Sequence, residues 1–357
     1  MNFPRQLRFN NRLHLHETPR KQGTMPATVV AHSWAWQAAH VMKSTVTQEK
    51  DVPFPIDELH GTYKGLGGGL YPDGSNQPKG KLADWARSAT SRIRPLNGKG
   101  ELDETNGKIG FLTLGQSTTR MCFEVFQQQI RTVKSGKVKL VNAAQDGVIL
   151  QHWATTEAPW KKTLEILKKN GLSAKQVQVI WIEVALLDPR QFGDGLKHIQ
   201  VNADLMGDVA RHIKSSFPNV QIMYCSSRYY AGYTTRPTSP EPYAYESAFA
   251  IRELIRRQTH HESHLEFNPI SVSAQAPLIL WGPYYWANGL TPSSVDGLYW
   301  KPSDYVPDGV HPSQSGRAKV AAQLAAFFKH DFYASKWFMP PVNAKNVLLK
   351  PVSSFTG

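Results

Sequence analysis

The chain has 357 residues, 41% hydrophobic, 11% aromatic and 19% charged, proportions that exclude wholesale disorder and suit an enzyme-sized globular protein with one large core. The formal charge of +13 invites a nucleic-acid partner. However, Arg5, Arg8, Arg12, Arg20 and Lys21 face only Glu17 in the first stretch, so the excess reads as a solvated basic surface, open to anionic polysaccharide or membrane surface, with no specific nucleic-acid groove.

Residues 1–54 carry no clear element. Met25 to Met42 is mildly apolar but broken by His32, Gln37 and His40, which leaves open a degenerate export signal, an over-extended reading frame or a peripheral helix. From Leu59 the chain is loop-rich. The run Gly67-Gly68-Gly69 lacks both a preceding strand and a following Gly-Lys-Ser/Thr, so it reads as a tight surface loop that can approach a site, and no phosphate cofactor is expected. Leu82, Trp85, Ala86, Ala89 and Ile93 repeat at helical spacing before Pro95.

From Lys108 strands and helices alternate. Residues 108–114 form a nearly all-apolar strand, and 118–133 a helix with Met121, Val125, Gln128 and Val133. Strands follow at 137–142, 177–185, 220–225 and 277–281, and helices at 155–169, 200–216, 242–258 and 313–328. Near-continuous apolar strands between helices predict a three-layer α/β/α fold around a mostly parallel sheet, with residues 55–330 as one domain and 331–357 as an irregular tail. Ligands in such folds bind beyond the carboxyl ends of the strands. Cys122 and Cys225 form no zinc or CxxC pattern and sit in apolar-patterned segments as buried thiols, and no run of about 18 apolar residues suggests a membrane span.

Chemistry concentrates at two places. Asp308-Gly309-Val310-His311-Pro312 sets an acid three positions before a histidine in a Gly/Pro-punctuated loop, where the carboxylate can orient the imidazole and stabilise its charged form. Gly115-Gln116-Ser117 breaks an apolar strand at a glycine and presents a hydroxyl for that imidazole to activate. Taken singly, Ser117 reads as a helix cap and Asp308-Gly309 as a turn. Their order on a β/α pattern points to a nucleophile, a base and an orienting acid.

With these residues in place, the region from about Lys108 to His330 resembles the SGNH (GDSL-type) serine hydrolases. The resemblance implies a flavodoxin-like fold, no cofactor or metal, and export in bacteria, although no clear signal supports the last. It makes Ser117 the nucleophile, with its own N–H in the oxyanion hole, Asp308 and His311 its partners, and Gly147 of Asn142-Ala143-Ala144-Gln145-Asp146-Gly147 a second oxyanion donor. Two departures stand out. Gln116 replaces the usual acid before the serine, and the block expected around Glu183-Val184-Ala185-Leu186-Leu187-Asp188 has no asparagine. Loss of such a side-chain donor can lower the rate on the order of 100-fold. The implied activity is hydrolysis of an acyl, chiefly acetyl, ester.

Several residues are expected to face the substrate: Gln116 beside the serine, Glu183 at a strand end (or, alternatively, as a buried carboxylate with a partner), Arg228 after the 220–225 strand, and Trp286. The aromatic runs around Trp281-Gly282-Pro283-Tyr284-Tyr285-Trp286 and Tyr299, Trp300, Tyr305 suit sugar rings, with core packing as the plainer account and base stacking as the rival one, hence a carbohydrate-linked ester. His260 and His264 have i, i+4 spacing without a completing ligand and read as a solvated loop. A catalytically silent relative that binds carbohydrate or an acidic partner is the competing function. Oligomeric state is not legible.

Overall fold

The computed structural model describes residues 53–193, 196–234, 236–262, 264–267 and 273–341. The N-terminal extension before Pro53 and the tail beyond Pro341 lie outside the described residues. Pro53–Lys79 opens the described chain with a short hairpin, β1 (Thr62–Tyr63) and β2 (Leu66–Gly67), followed by α1 (Gly80–Arg92). The carbonyls of Gly67, Gly68 and Gly69 all accept from the Arg252 guanidinium, and the Leu70 carbonyl accepts from the Trp281 indole.

The central sheet contains β3 (Ile109–Gly115), β4 (Val138–Asn142), β5 (Val177–Glu183), β6 (Ile222–Cys225) and β7 (Leu278–Trp281) in the order β4-β3-β5-β6-β7, every pair parallel. This is the expected α/β architecture, with the 2-1-3-4-5 strand order of flavodoxin-like sheets. Strands β3 and β5 are buried along their whole length, which is why their sequences run apolar without alternation. The rows of β3 and β5 that carry Phe111 and Trp181 meet one helical layer. Phe111 packs on Phe123, Phe328, Trp337 and Phe338, and Trp181 stacks on Phe123. That layer is α2 (Ser117–Ile130), α7 (Gln314–His330) and α8 (Ser335–Phe338). The chain reverses direction after β4, and the return segments α3 (Leu150–Thr155), α4 (Ala158–Lys169), α5 (Lys197–Ser216) and α6 (Tyr243–Thr259) include the second helical group, with α5 packed on both α3 and α6.

Two element expectations are corrected. The helix anticipated over 155–169 begins at Ala158, with Pro159 in its first turn where a missing N–H costs nothing, and a separate short helix over Leu150–Thr155 precedes it. The stretch from 331 is not wholly irregular. Helix α8 buries Trp337 and Phe338, whose apolar surface is better hidden against Phe111 and Phe328 than left in water. Both cysteines are buried thiols, as expected, and burial pushes each pKa up. Among the described residues no helix is long and apolar enough to cross a membrane.

Candidate active site

Strand β3 ends at Gly115, whose φ of +147° and lack of a Cβ are both required. A methyl there would be driven into the Glu183 carbonyl and the Thr119 hydroxyl. The close approach turns the chain directly from strand into helix, so that Ser117 is the first residue of α2, half-buried at the carboxyl edge of the sheet. A first helical residue has no partner for its N–H within the helix.

The Asp308–His311 loop reaches the same edge from the far end of the sequence. It is pinned by Val306 N–H to the His311 carbonyl at 2.9 Å, by Ser313 N–H to the Asp304 carbonyl at 2.8 Å, and by the buried Tyr229 hydroxyl donating to the Val310 carbonyl at 2.8 Å. Gly309 adopts φ +67° with its Cα hydrogen against the Tyr233 carbonyl, which again excludes a side chain. Tyr229 itself stacks on Trp300 with centroids 5.0 Å apart. The aromatic density before Asp308 therefore builds a rigid bed under the loop.

These supports bring three expected residues into one hydrogen-bonded chain. Ser117 Oγ lies 2.8 Å from His311 Nε2, and His311 Nδ1 lies 2.6 Å from Asp308 Oδ2. Asp308 Oδ1 accepts the N–H groups of Val310 (2.9 Å) and His311 (3.0 Å), so each carboxylate oxygen has its own task. Burial raises the Asp308 pKa, but the bond from the His311 ring and those two backbone bonds outweigh it, and the carboxyl is held below its usual range. An ionised Asp308 requires the proton on Nδ1, which leaves the Nε2 lone pair to accept the Ser117 hydroxyl.

Gly147 lies in the exposed turn after β4. The Gln145 N–H bonds to the Gly115 carbonyl at 3.0 Å, and Asp146 pairs with Arg120 on α2, which sets this turn against the first turns of that helix. Among the described residues neither the Ser117 N–H nor the Gly147 N–H has an acceptor.

The expectation that Glu183, Arg228 and Trp286 face a substrate is corrected. Arg228 is 1% and Glu183 2% exposed, and the two form an ion pair with each other. Arg228 Nη1 also donates to Thr118 Oγ1 at 3.0 Å, and the Thr119 hydroxyl lies 2.7 Å from Glu183 Oε2. Burial would lower the Arg228 pKa, but the Glu183 charge more than reverses this, so the guanidinium stays charged. A buried carboxylate needs a cation, and the pair holds both threonines that follow Ser117, Thr118 through Arg228 and Thr119 through Glu183. Trp286 is 1% exposed and donates its indole N–H to Glu241 Oε1 at 2.8 Å, so core packing and a hydrogen bond account for it. Gln116 is also buried, with its side-chain oxygen accepting the Ala185 N–H at 3.2 Å.

Thr118, Thr119 and Tyr229 were missed from sequence. The signal for the threonines was their place at a helix start beside a strand-borne acid. The aromatic residues that keep partial exposure near the loop are Tyr230, Tyr233 and Tyr299. His260 and His264 both follow the end of α6 and are exposed, as in a solvated loop.

No family model matches the chain, and no curated protein matches it. Solved structures do. An acylhydrolase, so assigned, from Bacteroides fragilis is 13% identical, with 70% of this chain and 96% of that one covered and a TM-score of 0.35. The catalytic domain of peptidoglycan O-acetyltransferase A from Streptococcus pneumoniae is 16% identical, with 62% and 93% covered and a TM-score of 0.32. A GDSL-like lipase from Bacteroides thetaiotaomicron is 11% identical, with 69% and 97% covered and a TM-score of 0.34. Likeness at this level says nothing of activity, and the reading of the site rests on its own geometry.

Proposed function

We propose that this chain is a serine ester hydrolase of the SGNH type acting on an acyl ester, chiefly acetyl, linked to a carbohydrate. The observation that carries the reading is the chain of two short hydrogen bonds from Ser117 through His311 to Asp308. In that chemistry Ser117 Oγ attacks the ester carbonyl while His311 Nε2 takes its proton, and the negative charge moves to the carbonyl oxygen. Collapse expels the alcohol, which receives the proton from His311. Water then repeats the sequence on the acyl-enzyme and releases the acid. Asp308 holds the imidazole in the tautomer that can accept and stabilises it once charged. The unpartnered N–H groups of Ser117 and Gly147 are suited to the oxyanion.

The partly exposed Tyr230, Tyr233 and Tyr299 offer aromatic surface for a sugar. A panel of p-nitrophenyl acetate, butyrate and octanoate with acetylated mono- and oligosaccharides tests the reading. Acetyl esters should turn over fastest, and Ser117→Ala should lower kcat by roughly 10⁴- to 10⁶-fold. Folded protein that hydrolyses nothing yet binds the glycans would favour the catalytically silent relative.

A further inference from the structure

An oxyanion in a water-poor site is stabilised most by donors fixed before the reaction, and two backbone N–H groups leave room for a third. The end of β5 offers no side-chain donor, since Val184, Ala185 and Leu186 are apolar and buried. One amide does reach that place. The backbone at Gln116 is extended (φ −109°, ψ −167°), and its side chain crosses from the end of β3 to the end of β5, where it meets the Ala185 N–H at 3.2 Å. An N–H can only donate, so the amide atom facing Ala185 is the oxygen, and the nitrogen points elsewhere as a donor. Among the described residues nothing accepts from Gln116 Nε2. That nitrogen is also absent from the polar atoms sealed away from solvent without a partner, although the residue as a whole is only 4% exposed. A rigidly anchored amide thus keeps a free, solvent-reaching donor on the residue that immediately precedes Ser117.

We propose that Gln116 Nε2 is the side-chain donor of the oxyanion hole, a role that rests on Ser117 being the nucleophile. As the Ser117 Oγ–carbon bond forms, the carbonyl π pair moves onto oxygen, and Gln116 Nε2 donates to it beside the N–H groups of Ser117 and Gly147. No proton is transferred to the oxyanion, and the donor is released when the carbonyl re-forms. The same anchor explains the glutamine before the serine: a shorter acidic side chain there has no donor to offer.

Two substitutions separate this role from simple anchoring. Gln116→Glu keeps an oxygen for the Ala185 N–H but removes the donor, and Gln116→Met removes donor and anchor without adding charge. Ester hydrolysis, fluorophosphonate labelling rate and thermal unfolding are measured for both beside the wild type. The expected result is a fall in kcat of about 100- to 1000-fold in both variants, with KM changed little, a parallel fall in labelling rate, and Gln116→Glu still cooperatively folded. Gln116→Glu within about threefold of wild type would overturn the proposal in favour of an anchor. So would a loss confined to Gln116→Glu, which would mark charge repulsion alone. Wild-type protein that does not label at Ser117 would instead sink the hydrolase reading itself, so the two failures are distinguishable.

Discussion

Asp308→Asn is expected to lower the fluorophosphonate labelling rate and kcat by about 10⁴-fold near neutral pH while leaving the fold intact. The two carboxylate oxygens divide their work. Oδ1 holds the loop through the Val310 and His311 N–H groups, and Oδ2 holds the ring. In the variant the amide oxygen keeps the backbone bonds, because only an acceptor can serve there. The NH2 is then forced to face His311 Nδ1, which must become an acceptor, and the ring proton moves to Nε2. An Nε2–H cannot accept the Ser117 proton, so the loss falls on chemistry and not on stability. The check is labelling kinetics by intact mass beside thermal unfolding. A rate within tenfold of wild type would mean that Asp308 only shapes the loop.

The largest effect on stability is expected at Arg228→Met. The guanidinium is enclosed between Glu183 and Thr118, with its central carbon 4.8 Å from the centre of the Tyr229 ring. Methionine fills much of the space but leaves the Glu183 carboxylate buried with hydroxyl partners and no cation. Removing one member of such a pair destabilises by about 3–5 kcal/mol. Combining it with Glu183→Gln should recover part of that loss, because the remaining groups are then neutral. Chemical denaturation of the two single variants and the double measures the coupling. A loss below about 1 kcal/mol for Arg228→Met would contradict the enclosed pair.

What was legible in the sequence was mostly local. Asp308 and His311 are three residues apart, and a loop punctuated by glycine and proline keeps such neighbours together. Ser117 was legible because an apolar strand broke at a glycine that has to approach another strand. The β/α alternation announced the parallel sheet because β3 and β5, buried on both faces, admit few polar residues. Direction was not legible. Glu183 in an apolar strand says that a carboxylate is buried, but its cation is 45 residues away, and nothing local tells whether Arg228 points to solvent or beneath the serine. The aromatic run containing Trp286 misled in the same way, since a ring that would suit a sugar suits a core as well. Pro159 marks the first turn of α4, where a proline is tolerated, which is why that helix starts at Ala158 and not at Thr155.

The central claim is that Ser117 is an activated nucleophile, and intact-mass analysis after reaction with a fluorophosphonate tests it most directly. The account predicts one covalent adduct on the wild-type protein and none on Ser117→Ala. No adduct on folded wild-type protein, or an adduct that persists in Ser117→Ala, would contradict it.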